Sequence, residues 1–234
     1  MKAVDIKVPL LYFLPDKLSG KPYMRTTPLI RITVVAAGSL LFGILLSQNA
    51  INWPIRPGFL GFGLMLLGAL AVRLYWLKLK LAAPGSPERS LWIGLSSNAI
   101  IGGHLFGMLW QIGPKMQLHS LQTHALAGDN WTLVLGAALA WWVARDPDPR
   151  QDERDSWISN QGTHWAYYAL VIVLIALSLM LGFGIGASTK QMSQPLIAHL
   201  LIGALMFSFA VANACQLCIY ARDQQRQSVE ESDL

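Results

Sequence analysis

Six apolar runs, each close to the length needed to cross a bilayer, leave this chain few ways to fold. A transmembrane helix takes about 20 predominantly apolar residues. The runs fall at about 28–48, 57–77, 91–112, 126–144, 165–187 and 195–220. Breakers separate them: Asn52-Trp53-Pro54, Pro84-Gly85-Ser86-Pro87, Gly113-Pro114, Asp146-Pro147-Asp148-Pro149 and Ser193-Gln194-Pro195. The pattern predicts an all-α polytopic membrane bundle of about six transmembrane helices over 28–220. A basic segment, 1–27, precedes it and a polar tail, 221–234, follows. The fourth run is the shortest, and its N-terminal boundary is the least defined.

Charge agrees with a membrane solvent. Charged residues make up 13% of the chain, against about 25% in soluble domains. The first long apolar run has no small-residue cleavage site after it, so it reads as a span rather than a signal peptide. The net charge of +5 does not point to nucleic acid, because the basic residues flank apolar segments. Their distribution sets an orientation. Fifteen Lys and Arg fall in the N-terminal segment, the second and fourth connections and the C-terminal tail. Only Arg56, Lys115 and Lys190 fall in the other three connections. Both termini are therefore expected in the cytoplasm, of a bacterial inner membrane, and an even helix count fits that result.

Two histidines lie inside apolar segments: His104 in IIGGHLFGMLW and His199 in PLIAHLLIGALMF. On the expected topology both fall at similar depth in the outer leaflet. An ionisable group inside a membrane marks a functional site by default. Neutral imidazole is a common axial ligand of haem iron. Small neighbours leave room for a flat macrocycle: Gly102, Gly103 and Gly107 around His104, and Gly203 one turn after His199. Phe106, Phe207 and Phe209 are available to pack an apolar edge. The same residues admit a second reading, in which each histidine is a polar group bonding between helices and the glycines serve helix packing.

Helices three to six resemble the membrane cytochrome b (gamma) subunit of respiratory nitrate reductase. The likeness is carried by GGHLFGML at 102–109 and AHLLIGALMF at 198–207. Weaker likeness covers Ala127-Gly128, the helix ending at Arg145, and YALVIVLIALSLMLGF. That family has five helices and two haems b. The resemblance implies that His104 and His199 ligate one haem b near the outer face. The inner ligand pair does not carry over, because Gly94 and Leu217 stand where it would be. The resemblance further implies quinol oxidation beside that haem, near the outer connection KMQLHSLQTH at 115–124. His124 falls closest in register to the family's basic residue. An imidazole there can take up a proton as a quinol oxygen loses one, or it can simply be solvated.

Other residues carry less. Cys215 and Cys218 share a helix face at the inner end of the sixth run, but a metal site needs more ligands. Arg73 and Arg145 sit where long side chains snorkel to phosphates. The run RDPDPRQDERD at 145–155 reads as a solvated loop, and Ser96, Ser97 and Asn98 as interhelical hydrogen-bonding groups. The expected function is electron transfer between quinol/quinone in the lipid bilayer and a redox partner subunit. The chain would then be the cytochrome b subunit of a multi-subunit quinol-linked oxidoreductase. The rival class is a non-redox membrane anchor, assembly factor or small transporter whose intramembrane histidines are structural.

Overall fold

The computed structural model describes residues 27–48, 55–78, 86–113, 116–117, 120–145, 152–183 and 192–230. They form six helices: α1 (Thr27–Leu46), α2 (Pro57–Lys78), α3 (Ser86–Ile112), α4 (Leu121–Ala144), α5 (Glu153–Phe183) and α6 (Gln194–Glu230). The six apolar runs map one to one onto them. A helix satisfies its own amides and carbonyls, which hydrocarbon cannot do. Helices α1, α2, α5 and α6 are long and apolar enough to cross a membrane. Large apolar side chains face outward from the bundle, among them Val34, Leu67, Trp131, Ile172 and Phe183. Such a belt is a liability in water and is the contact surface in lipid. The chain is an integral membrane protein.

Helices α3 and α4 fall short of that criterion and carry polar side chains within or beside their apolar runs. Ser96, Ser97, Asn98 and His104 lie in α3, and Thr123, His124, Asp129 and Asn130 in α4. Position accounts for α3, whereas α4 keeps an outward face of Trp131, Leu135 and Trp142. Helix α3 is packed by α1, α4 and α6, and α4 lies against α2 and α3. A helix enclosed by other helices has little surface left to match to its solvent.

Helices α3, α4 and α5 begin well before their apolar runs do. Ser120 caps α4, its Oγ accepting the Thr123 N–H at 3.2 Å. Such caps contribute about 1 kcal/mol. Helix α5 starts at Glu153, not near 165. Asp152 Oδ1 accepts the Asp155 N–H at 2.7 Å, and Glu153 and Asp155 favour the positive end of the helix. The last three residues of the expected loop 145–155 are therefore helical. Likewise α6 runs on to Glu230 through most of the expected polar tail. The two extensions hold each other. Arg154 Nη2 and Asp223 Oδ2 are 3.1 Å apart, and Tyr220 Oη donates to Asp155 Oδ1 at 2.5 Å.

Side-chain pairings fix the direction of every helix. Gly58 and Asp129, then Gly61 and Leu133, show that α2 and α4 are parallel. Gly43 against Ile100, then Gly107 against Ser47, show the same for α1 and α3. Helices α3 and α6 are antiparallel, with Gly94 against Asn213 and Gly203 against Leu105. Consecutive helices thus alternate in direction, and Thr27 and Glu230 lie at the same end of the bundle. The other end carries the α3–α4 connection, and the site described next lies within the helices toward that end.

Candidate functional site

His104 is 1% exposed. Leu105, its neighbour in α3, packs with Leu126 of α4 and with Leu196 and Leu200 of α6 in one apolar cluster. The imidazole turns toward α4. Its Nδ1 lies 3.0 Å from Asn130 Oδ1. The amide oxygen accepts, so Nδ1 carries the proton and Nε2 keeps its lone pair. His199 is half-buried on α6. Its Nδ1 donates to the Pro195 carbonyl oxygen at 2.7 Å, one turn back in the same helix. A carbonyl only accepts, so here too Nε2 is the basic nitrogen. In each case the bond fixes the tautomer and the ring orientation. Metal-ligating histidines are held in this manner, with the second nitrogen bonded to a carbonyl or carboxyl group. Each ring thus keeps one nitrogen with its lone pair available, while His104 itself is enclosed by packed side chains and Gly203 meets Leu105 close to its level.

The two histidines are near each other in depth but not level. The pairings of Gly94 with Asn213 and Leu105 with Gly203 set the α3–α6 register. They place His104 near the level of Gly203. His199 then lies about one helical turn, roughly 6 Å, nearer the α3–α4 end.

The glycines divide between two faces. A Cβ on Gly203 would approach Leu105 Cδ2 at 3.5 Å, an ordinary contact on the α3–α6 face. Gly103 and Gly107 face α1 instead. A Cβ on Gly103 would overlap the Leu40 carbonyl oxygen, and one on Gly107 the Ser47 hydroxyl. These two glycines let α1 and α3 touch backbone to backbone, as Gly43 does from the other side. Gly102 has open space around it. Phe106, Phe207 and Phe209 are exposed on the bundle's outside. Phe106 and Trp110, with ring centroids 6.3 Å apart, line an open groove of about 360 Å³ with Ile44, Gln48 and Gly107.

His124 is exposed in the first turn of α4. It is six residues before Asn130, about 9 Å along the axis, toward the α3–α4 end. Lys115 and His119 lie outside the described residues. His164 is exposed on α5 beside Gly162, which packs on Gln216 near the opposite end of α6. Of the two positions without ligands, a Cβ on Gly94 would sit 2.7 Å from the Asn213 amide nitrogen, and Leu217 is buried in the apolar core. Cys215 and Cys218 are free and half-buried. Among the described residues no three His, Cys, Asp or Glu side chains group as a metal site. Ser96 bonds within its own helix, Oγ to the Trp92 carbonyl at 2.9 Å, rather than between helices. Arg73 Nη1 donates to the Val143 carbonyl at 3.0 Å, tying α2 to the last turn of α4.

Asn130 and its neighbour Asp129 do not stand out in the sequence. Asp129 is 7% exposed. Its Oδ1 lies 3.7 Å from Arg56 Nε, and a Cβ on Gly58 would sit 2.8 Å from both its Cα and its Oδ1. The signal was a carboxylate and an amide, GDNW, at the start of an apolar run. No family model, curated protein or solved structure matches the chain.

Proposed function

We propose that this chain is a haem b-carrying subunit that passes electrons between the quinone pool and a redox partner subunit. One observation carries the proposal: both intramembrane histidines have Nδ1–H tied to an oxygen, which leaves Nε2 as the donor nitrogen on each. His104 and His199 would hold the iron through those atoms. Bound haem supplies one-electron chemistry. The protein's share is to fix the two rings and to keep water from them. Asn130 would fix the His104 ring and the Pro195 carbonyl the His199 ring, with Leu105, Leu126 and Leu196 in one apolar cluster.

The remainder of the proposal rests on the charge pattern and on the likeness of 102–109 and 198–207 to the nitrate reductase gamma subunit. The α3–α4 end faces outward and both termini lie in the cytoplasm. Quinol reaches the site laterally from the bilayer. His124 accepts a proton from a quinol hydroxyl and returns it to the outer water. Gly94 and Leu217 support one haem per chain, so a partner subunit must complete the electron path.

The His104–Asn130 bond also favours a second reading, because it joins α3 to α4 and would do so in a protein with no haem. A membrane anchor, assembly factor or small transporter is the alternative. A reduced-minus-oxidised spectrum of the purified protein separates them. Sharp b-type bands are expected. A featureless spectrum after expression with ample haem removes the electron-transfer reading.

A further inference from the structure

We propose that Arg73 of α2 and Arg145 of α4 form a binding site for the phosphate of an anionic phospholipid, across the α2–α4 seam at the end of the bundle that carries the chain termini. The site lies about 22 Å along α4 from Asn130. It stands whether or not the chain binds haem.

Helices α2 and α4 run parallel, so their C-terminal ends lie together. The register of Gly58 with Asp129 and of Gly61 with Leu133 brings Arg73 level with residues 143–145. Both arginines are exposed. Each guanidinium is held by a neutral partner. Arg73 Nη1 donates at 3.0 Å to the Val143 carbonyl, one of the last carbonyls of α4, which no helical N–H can reach. Arg145 lies over the Trp141 ring, 5.5 Å from its centroid and one turn back in its own helix. Neither contact supplies negative charge. Arg56 and Arg154 have carboxylate partners in Asp129 and Asp223, whereas Arg73 and Arg145 meet no carboxylate among the described residues. Asp146 and Asp148 lie outside the described residues.

Depth selects a lipid as the source of the anion. The apolar span of α2 ends at Leu74, and Arg145 caps the apolar run of α4. Both charges therefore stand at the boundary between hydrocarbon and headgroups. Trp141 and Trp142 are 45% and 68% exposed at the same level, as the members of an interfacial aromatic belt are. Leu67, Leu70 and Leu74 of α2 are exposed beside and below Arg73 and offer acyl chains an apolar wall. A phospholipid phosphate is anchored at this depth by its own chains. Its paired unesterified oxygens match the guanidinium fork. Stacking on Trp141 occupies the face of Arg145 and leaves the donors along its edge. A zwitterionic headgroup carries an ammonium that competes for its own phosphate, and an anionic headgroup does not. A pair of fixed cations thus favours the anionic lipid.

The test is native mass spectrometry of the purified chain in micelles containing phosphatidylglycerol or phosphatidylcholine with identical acyl chains. The wild type is expected to retain phosphatidylglycerol over phosphatidylcholine by roughly tenfold or more, since each basic side chain at a membrane surface contributes about fivefold. Arg73→Gln combined with Arg145→Gln should abolish the preference. Arg31→Gln removes an exposed cation of α1 at the same end of the bundle and should leave the preference intact. Arg73→Gln gives up a bond between helices. Arg145→Gln gives up only a contact within α4, so it carries the test alone if the double variant fails to fold, and should cut the preference about fivefold. Equal retention of the two lipids by the wild type overturns the proposal. So does a preference that survives Arg145→Gln, or one that falls equally in Arg31→Gln. Displacement of phosphatidylglycerol by millimolar inorganic phosphate would mark a site for free anions and overturn the lipid assignment.

Discussion

Replacing Gly103 by alanine puts a methyl carbon 3.0 Å from the Leu40 carbonyl carbon and 3.2 Å from the Ile44 nitrogen, and into overlap with the Leu40 oxygen. Carbon atoms are comfortable at about 3.5–4.0 Å. All three neighbours are backbone, so no side chain can swing aside. Helices α1 and α3 must part by roughly 1 Å. Overpacking of this kind costs about 1–3 kcal/mol. Alanine also gains about 1 kcal/mol over glycine in a helix interior, which partly hides the loss. Gly102→Ala provides the reference, because a Cβ there meets nothing within 4 Å. The propensity gain is common to both variants. Their difference therefore isolates the steric cost, and Gly103→Ala should be the less stable of the two by about 1–3 kcal/mol. The assay is unfolding in mixed micelles of rising SDS fraction, followed by the fluorescence of the nine tryptophans. Coincident unfolding curves for the two variants would refute the backbone contact between α1 and α3.

His104→Ala and His199→Ala should each abolish or alter a low-spin b-type spectrum, while His164→Ala leaves it unchanged; intact spectra in both ligand variants would end the assignment. Extracted haem should approach one per chain, and a ratio near two would require a second ligand pair. Reporter fusions at the C-terminus and in the α3–α4 connection should report opposite sides of the membrane, with the C-terminus inside; equal signals would contradict the alternation of the helices. His124→Ala should slow haem reduction by a quinol analogue about 10²-fold, the usual contribution of a general base, with the spectrum intact. Unchanged kinetics would make His124 a solvated residue.

The helix count was legible because a bilayer demands long apolar runs, and such runs stand out in one dimension. Helix ends were less so. The starts of α4 and α5 are set by Ser120 and Asp152, single capping side chains that precede the apolar residues. His104 and His199 were visible as polar groups in apolar settings. Asn130 was not, since it lies 26 residues from His104 and on a different helix. The faces of the glycines were beyond reach for a related reason. Successive helical residues turn by about 100°, so adjacent Gly102 and Gly103 look at different neighbours. Sequence order suggests α2 as the neighbour of α3, whereas the helix packed most closely on α3 is α1.

That non-sequential pairing has a consequence for how the protein is made. Gly43 and Ile100 meet across α1 and α3, and Gly58 and Asp129 across α2 and α4. In each case dozens of residues must be synthesised between the two partners. At about 5–20 residues per second, each first helix waits several seconds before its partner exists. During that time α1 and α2 must survive in lipid alone, and both are apolar enough to do so. Helices α3 and α4 meet their α1 and α2 partners without that wait. They arrive when α1 and α2 are already in place, and can carry His104, Asp129 and Asn130 into the membrane under cover of helices inserted before them. The order of translation, as much as the finished packing, is what lets the polar site be built.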